Sequence, residues 1–396
     1  MIRNVDFVSW LGNQHQHREE QSMSESYPPL NEISKTMRVK WYRSPIDREE
    51  LKKLTGRNNA KGWFQALGHL LVAAATATAI YIFYTRQIWI GFGIALFLHG
   101  TVSSFFMLAN HELGHGTVFK TKWLNRLFLN IYSLLAWHNH PDYAVSHTYH
   151  HRYTLHPKGD REVVLPKTPT LRALFLLQIF TINLFGGFES EALVWRLVGT
   201  LKTAFRIRFA DWVEDLYEAH PEYRKYSVRF SRITLAFHIA VLTVSILTGY
   251  WLIGVLVSFS FCIANWLRYF VGVPMHCGLR DNVADFRKCV RTIALNPIAE
   301  FLYWRMNWHM EHHMYAAVPC YNLRKLHRAI RADVPERRTL FGAWKEMREI
   351  WKRQQVESDY QFDTPLPEGS GRLGETRADE QDELQSSIGD LAVHET

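Results

Sequence analysis

Cysteine is scarce in this chain of 396 residues: Cys262, Cys277, Cys289 and Cys320 are its four copies, and none form a C-x-x-C pair. That spacing excludes a zinc ribbon and suits reduced thiols better than a disulfide framework. The first thirty residues lack the hydrophobic core of a signal peptide, so no cleaved signal is expected. No G-x-G-x-x-G opens a nucleotide-binding fold. Charge is also missing from long windows. Gly62 to Thr85 holds no Asp, Glu, Lys or Arg, and after Arg86 the stretch Gln87 to His111 is again uncharged. Ile233 to Leu267 repeats the pattern.

Aromatics, by contrast, are abundant, with 14 Trp, 17 Tyr and 24 Phe. Mean hydropathy is nevertheless slightly negative, so the apolar character is concentrated in segments. Each of the first two uncharged windows exceeds the ~20 residues needed to cross a bilayer. The connector at Arg86 leaves room only for a tight helical hairpin. Ile233–Leu267 is too long for one helix, and Thr248-Gly249-Tyr250-Trp251 offers a turn. Four spans are therefore expected, at about 62–85, 88–110, 231–248 and 251–272, in two hairpins.

The net charge of +8 comes from 46 Lys and Arg against 38 Asp and Glu. Such a surplus suits nucleic acid, an anionic membrane or cytoplasmic loops; the apolar windows favour the membrane and no nucleic-acid partner. Arg86 is the one basic residue on the far turns, so the positive-inside rule puts the remainder in the cytoplasm. Two shorter apolar stretches, Leu127–Trp137 and Ala173–Phe188, read as interfacial or half-inserted helices. Residues 1–61 form a polar, basic cytosolic segment, 191–230 amphipathic helices, 331–356 a C-terminal cytosolic helix, and 357–396 a disordered acidic tail with Asp379, Glu380, Asp382 and Glu383. The fold class is an all-α multi-pass membrane protein with a helical cytoplasmic cap.

Of 20 histidines, eight fall in three clusters: His111-Glu-Leu-Gly-His115, His147-Thr-Tyr-His150-His151 and His309-Met-Glu-His312-His313. Residues three and four apart share a helix face, so each cluster aims its imidazoles at one point. Imidazole is a common neutral ligand for iron, zinc and copper. Three converging clusters exceed what one tetrahedral zinc uses, and the count favours two metals. The topology brings all three to the cytoplasmic side. His111-Glu112-x-x-His115 is also the motif of a zinc protease, with Glu112 as general base; that reading leaves the other two clusters unexplained. A non-enzymatic membrane scaffold is a further alternative.

The three clusters resemble the histidine boxes of the membrane fatty acid desaturase and hydroxylase superfamily. The likeness extends to His147-Thr-Tyr-His-His-Arg-Tyr-Thr154 followed by Asp160, and to Asn307-Trp-His309-Met-Glu-His312-His313 followed by Pro319, Leu323 and Leu326-His327. Met275-His276-Cys-Gly278 and Arg291-Thr292 are similar to a further family segment, although Met275 stands where glutamate is common. The resemblance covers roughly 62–330. It implies a non-haem diiron centre with dioxygen as co-substrate, held by His111, His115, His147, His150, His151, His276, His309, His312 and His313, with His276 beside the first box. Metal-bound imidazoles need partners on their other nitrogen; Glu112, Asp142, Asp160, Asn307 and Glu311 are candidates, Asp160 and Asn307 the better ones because they fall on family positions.

The implied reaction is oxygen-dependent desaturation of an acyl lipid, with hydroxylation of a lipid or small molecule as the alternative. His140-Pro141 and His156-Pro157 lack the glycines of a fused cytochrome b5, so electrons are expected from a separate ferredoxin or cytochrome b5 with its reductase. Endoplasmic reticulum and bacterial inner membrane fit equally. The other histidines have plainer expectations. His15 and His17 lie in the polar tail, and His69, His99 and His238 lie inside spans as neutral hydrogen-bonding groups. His138, His140 and His156 are near the second box, and His327 has no assigned role.

Overall fold

A computed structural model of the chain describes residues 27–163, 170–186, 192–209 and 212–371. His15, His17 and the acidic residues from Asp379 to Glu383 lie outside them. The chain divides into two units, Met1–Arg38 and Val39–Thr396. Helix α1 (Leu30–Thr36) is the regular element described in the first. The second begins with α2 (Arg48–Leu54), capped by Asp47, and then α3 (Asn59–Thr85), whose first turn is capped by the Asn58 side chain. Both caps satisfy amides that the helix itself leaves open.

Helix α3 is about 40 Å long at the standard rise. It packs on α4 (Trp89–Ser104), which continues through a turn at Phe105 into α5 (Phe106–Gly114). Next come α6 (Lys122–Leu135) and α7 (His140–Tyr153), then α8 (Ala173–Phe180), α9 (Leu193–Ala204) and α10 (Trp212–Ala219). Helix α11 (Pro221–Thr248) starts with proline in its first turn and stops at Gly249, where φ is +74°. Proline at a helix start and glycine just past its end are the favoured boundaries. The expected span at 231–248 is thus the apolar part of a longer helix whose first turns pack on α9 and α10.

Among the described residues, three helical stretches are long and apolar enough to cross a membrane: Asn59–Thr85, Trp89–Gly114 and Pro221–Thr248. The fourth expected span, 251–272, is not one helix. It runs as α12 (Trp251–Ile253), a π turn at Gly254–Ser258, a 3-10 turn at Ser260–Cys262, an extended link, and α13 (Trp266–Gly272).

An apolar composition interrupted only by Arg268 cannot reveal such a break, because the break is stabilised from outside. His99 Nε2 meets the carbonyl of Leu256, Trp137 Nε1 donates to that of Ser258, and Thr101 Oγ1 to that of Ala264. Backbone amides of Asn183 and Ala264 pair with carbonyls of Cys262 and Thr181. Irregular backbone in an apolar setting persists only when its polar groups are met in this way. Gly100 makes the approach possible: a Cβ there would lie 2.2 Å from the Ile263 carbonyl oxygen.

Neither of the two shorter apolar stretches forms, among the described residues, a helix long enough to cross a membrane. Helix α6 buries Leu124, Phe128 and Tyr132 while exposing Trp123 and Leu127, the two-faced pattern of a helix lying on a surface. Helix α8 spans about 12 Å and ends in the 181–183 segment that pairs with 262–264.

The cap follows as α14 (Phe286–Cys289), strand β1 (Ile293–Ala294), α15 (Pro297–Leu302), α16 (His309–Met314), α17 (Cys320–Ala329), strand β2 (Arg338–Thr339) and α18 (Leu340–Gln354). The two strands form a two-residue parallel pair, a small departure from an all-α fold. Two segments expected to be polar appendages are built into the cap. Trp41, 2% exposed, stacks on Phe286 at 4.0 Å. Residues 357–371, expected as part of a disordered tail, run back along the cap, where the Phe362 amide bonds the Gly278 carbonyl and Arg287 bonds that of Gly371. The main core gathers Phe105, Phe119, Tyr132, Trp304 and Trp308 beneath the histidine-bearing helices.

Candidate metal centre

His111 and His115 close α5, one turn apart. His147, His150 and His151 lie on the last turns of α7, whose start is set by the Asn139 cap and Pro141. His309, His312 and His313 occupy α16, a helix of 6 residues entered through Trp304 and Arg305, both in the left-handed region at φ 52° and 59°. His276 follows the 3-10 turn Val273–Met275 that extends α13.

These nine side chains form two groups. One holds His111, His115, His147, His151 and His312; the other holds His150, His276, His309 and His313; within each, the candidate ligand atoms lie within 4.8 Å of one another. His115 and His151 are partly exposed and the others buried. Helical period explains the partition. Consecutive residues point about 100° apart, so the doublet His150-His151 serves two centres, while His147 and His151, four apart, serve one. Helix α16 repeats the arrangement with His312 in one group and His309 and His313 in the other. Each H-x-x-H-H box is thus a bridge between two neighbouring centres. His276 meets His309 rather than lying beside the first box, which is a correction to the expected placement; their Nε2 atoms are 3.0 Å apart.

The inward nitrogens are compatible with a metal between them. Nε2 atoms face each other at 2.9 Å for His147 and His151, 3.2 Å for His151 and His312, and 3.2 Å for His309 and His313. The Nε2 atoms of His111 and His115 are buried without any partner. A neutral pair is satisfied only when one of the two rings carries its proton on Nε2, which makes that ring a donor and removes it as a ligand, and a buried nitrogen without a partner is costly. Cations at the two foci relieve both problems, and all-nitrogen sets suit a transition metal.

Five of the outward Nδ1 atoms are held in place, while those of His309 and His312 have no hydrogen-bond partner. His111 Nδ1 is 3.0 Å from Glu112 Oε1, His147 Nδ1 2.9 Å from Glu162 Oε1, and His150 Nδ1 2.9 Å from Asp160 Oδ2. His276 Nδ1 lies 3.0 Å from the Cys289 carbonyl, and His313 Nδ1 3.1 Å from Thr154 Oγ1. A carboxylate or carbonyl at Nδ1 holds the proton there and leaves Nε2 as the donor to a metal. Burial pulls His150 down, but the Asp160 carboxylate outweighs it and holds the imidazole above its usual pKa. Burial likewise pushes Asp160 up, and His150 more than offsets it, leaving the carboxyl below its usual range. Glu162 is pushed up to about 7 by burial.

Of the five partners expected from sequence, Asp160 and Glu112 contact clustered histidines. Asn307 instead donates to the Ile293 carbonyl, Asp142 accepts from Tyr217, and Glu311 accepts from Thr292 at 2.5 Å and lies 2.6 Å from His327 Nδ1. Sequence reasoning missed Glu162, Thr154 and the Cys289 carbonyl. Glu162 stands two residues past Asp160 in the loop after the second box, and that proximity was a usable signal; a main-chain carbonyl leaves none. Two of the histidines inside the long helices bond elsewhere. Trp304 donates to His69 Nδ1, so its Nε2–H meets the Val102 carbonyl, and His238 meets Leu134. Glu112 sits behind His111 rather than on its Nε2 side, the wrong place for the general base of a zinc protease.

Residues 87–344 match the family model described as fatty acid desaturase. Among curated proteins, an sn-1 oleoyl-lipid 12-desaturase from a Picosynechococcus species is 23% identical over 293 residues, which cover 70% of this chain and 78% of that protein. All nine clustered histidines fall within the family match.

Proposed function

The chain belongs to the fatty acid desaturase family, and from that premise we propose that it is a membrane-bound, oxygen-dependent diiron desaturase acting on a fatty-acyl lipid. The observation that carries this reading is the division of nine imidazoles into adjoining sets of five and four with inward nitrogens left open. His111, His115, His147, His151 and His312 would hold one iron, and His150, His276, His309 and His313 the other. The chemistry such a pair supplies is activation of dioxygen with two external electrons and removal of hydrogen from an unactivated C–H bond.

The chain's own residues prepare that chemistry. Glu112, Glu162, Asp160, Thr154 and the Cys289 carbonyl fix ring orientation and tautomer before metal binds. Burial of the four-histidine set and of three of the other five limits the access of bulk water to the centre. His111, at the end of the second long helix, and His276, after the broken segment, lie in adjoining groups. That supports a return of 251–272 to the side from which α11 departs, and so a cytoplasmic position for both centres. The acyl substrate is favoured by the relative's printed name. Ferredoxin or cytochrome b5 with its reductase would supply electrons, at the endoplasmic reticulum or a bacterial inner membrane.

Purified protein should carry about two irons per chain, one for each histidine set, and a fed acyl lipid should lose two hydrogens. Gain of one oxygen instead would make the enzyme a hydroxylase, and a single zinc would overturn the diiron assignment.

A further inference from the structure

The turn that carries His276 is held by parts of the chain remote from the histidine boxes. Arg291, 4% exposed, donates through Nη1 to the carbonyls of Pro274, at 2.9 Å, and Cys277, at 2.5 Å, which bracket His276. Its own amide donates to the Met275 carbonyl at 2.8 Å. The residue two before it, Cys289, supplies the carbonyl that orients the His276 ring. Arg291 is aimed in turn by Glu346 on α18, whose Oε1 lies 2.8 Å from Nε, while Arg338 holds the other carboxylate oxygen at 3.1 Å. Just past His276, Gly278 has φ +74°, and a Cβ on it would come within 3.0 Å of Ile350. The Phe362 amide closes the turn by bonding the Gly278 carbonyl. Glu346, Ile350 and Phe362 all lie beyond residue 344, where the family match ends.

We infer that Arg291 and Glu346 are positioning residues for His276, and that the C-terminal helix and strap act through them to complete the four-histidine centre. The inference rests on the diiron reading above. His276 differs from the other members of its group in standing on no α-helix: His150 is on α7, and His309 and His313 are on α16. A ligand on an irregular turn has no helical ladder to fix it, so the buried, charge-assisted bonds of Arg291 do that work.

The test uses full-length protein loaded with iron-57 in nanodiscs and compares wild type, Glu346→Gln and Arg291→Lys by Mössbauer spectroscopy. Iron content and thermal midpoint are measured in parallel. A His147→Ala variant assigns the signal of the five-histidine centre. Loss of a partner to a ligand typically weakens metal affinity about 10–100-fold. Glu346→Gln should therefore lose or broaden the four-histidine signal selectively, with the other signal retained and the thermal midpoint of the chelated variant equal to that of chelated wild type; Arg291→Lys should do so more severely. Unchanged spectra in Glu346→Gln, or parallel loss of both signals, would overturn the inference, and that variant decides alone if Arg291→Lys fails to fold. Wild-type protein without two irons would instead overturn the diiron reading and this inference with it.

Discussion

Glu112 stands behind His111, with Oε1 3.0 Å from the Nδ1 of that imidazole, and the same oxygen is 3.6 Å from Nδ1 of His312. One carboxylate therefore holds His111 by a hydrogen bond and lies near, but beyond hydrogen-bond distance of, a second histidine of the same group. A capping role of this kind needs an acceptor and not a base.

Replacing Glu112 by glutamine should keep the acceptor and most of the iron, whereas Glu112→Ala should weaken metal binding by about 10–100-fold. Iron titration of the purified variants checks this. Complete loss of turnover in Glu112→Gln with iron retained would give Glu112 a direct chemical part and contradict the geometry.

The two histidine groups should respond unequally to deletion of a ligand. His312→Ala leaves four imidazoles in its group, and His150→Ala leaves three in the other. Both should abolish turnover, but His150→Ala should release iron more readily. The measurement is iron per chain through successive rounds of dialysis, with membrane insertion as control. Equal loss from both variants would mean that the centres fill only as a pair.

Much of this centre was legible because helix period and histidine spacing are local. An i, i+3, i+4 pattern states which rings share a face without knowledge of anything else in the fold. Other features depend on partners that composition does not record. The run 251–272 reads as a helix because Arg268 is its one charged residue, yet its carbonyls are claimed by His99, Trp137 and Thr101 from other elements. A hairpin ending at His276 predicts a place beside the first box, whereas its Nδ1 meets the Cys289 carbonyl and its Nε2 faces His309. Trp41, in a segment that reads as a polar tail, is buried against Phe286.

At Gly100 two effects oppose each other. Alanine is favoured over glycine inside a helix by about 1 kcal/mol, so an exposed Gly→Ala change there would stabilise. The added Cβ would instead meet a carbonyl oxygen at 2.2 Å, and the atom it meets is backbone. Overpacking costs about 1–3 kcal/mol and should win. Gly100→Ala is expected to lower the thermal midpoint of the detergent-solubilised protein, and Gly100→Val to lower it further. A raised midpoint in Gly100→Ala would show that the 260–265 segment moves aside at little cost.

Removing metal should cost stability as well as activity. Without cations, the facing nitrogens of His147 and His151, and of His309 and His276, have only each other as partners, and the buried Nε2 atoms of His111 and His115 stay unpartnered. Bound metal stabilises the folded chain by about 2.7 kcal/mol when free metal stands a hundredfold above its dissociation constant. Chelated protein should therefore melt at a lower temperature than the iron-loaded form, and ferrous iron should restore the difference. Calcium should not, because a hard cation prefers oxygen ligands to imidazole. A chelated chain that melted at the same temperature as the loaded one would mean that the histidines hold no metal in the folded state.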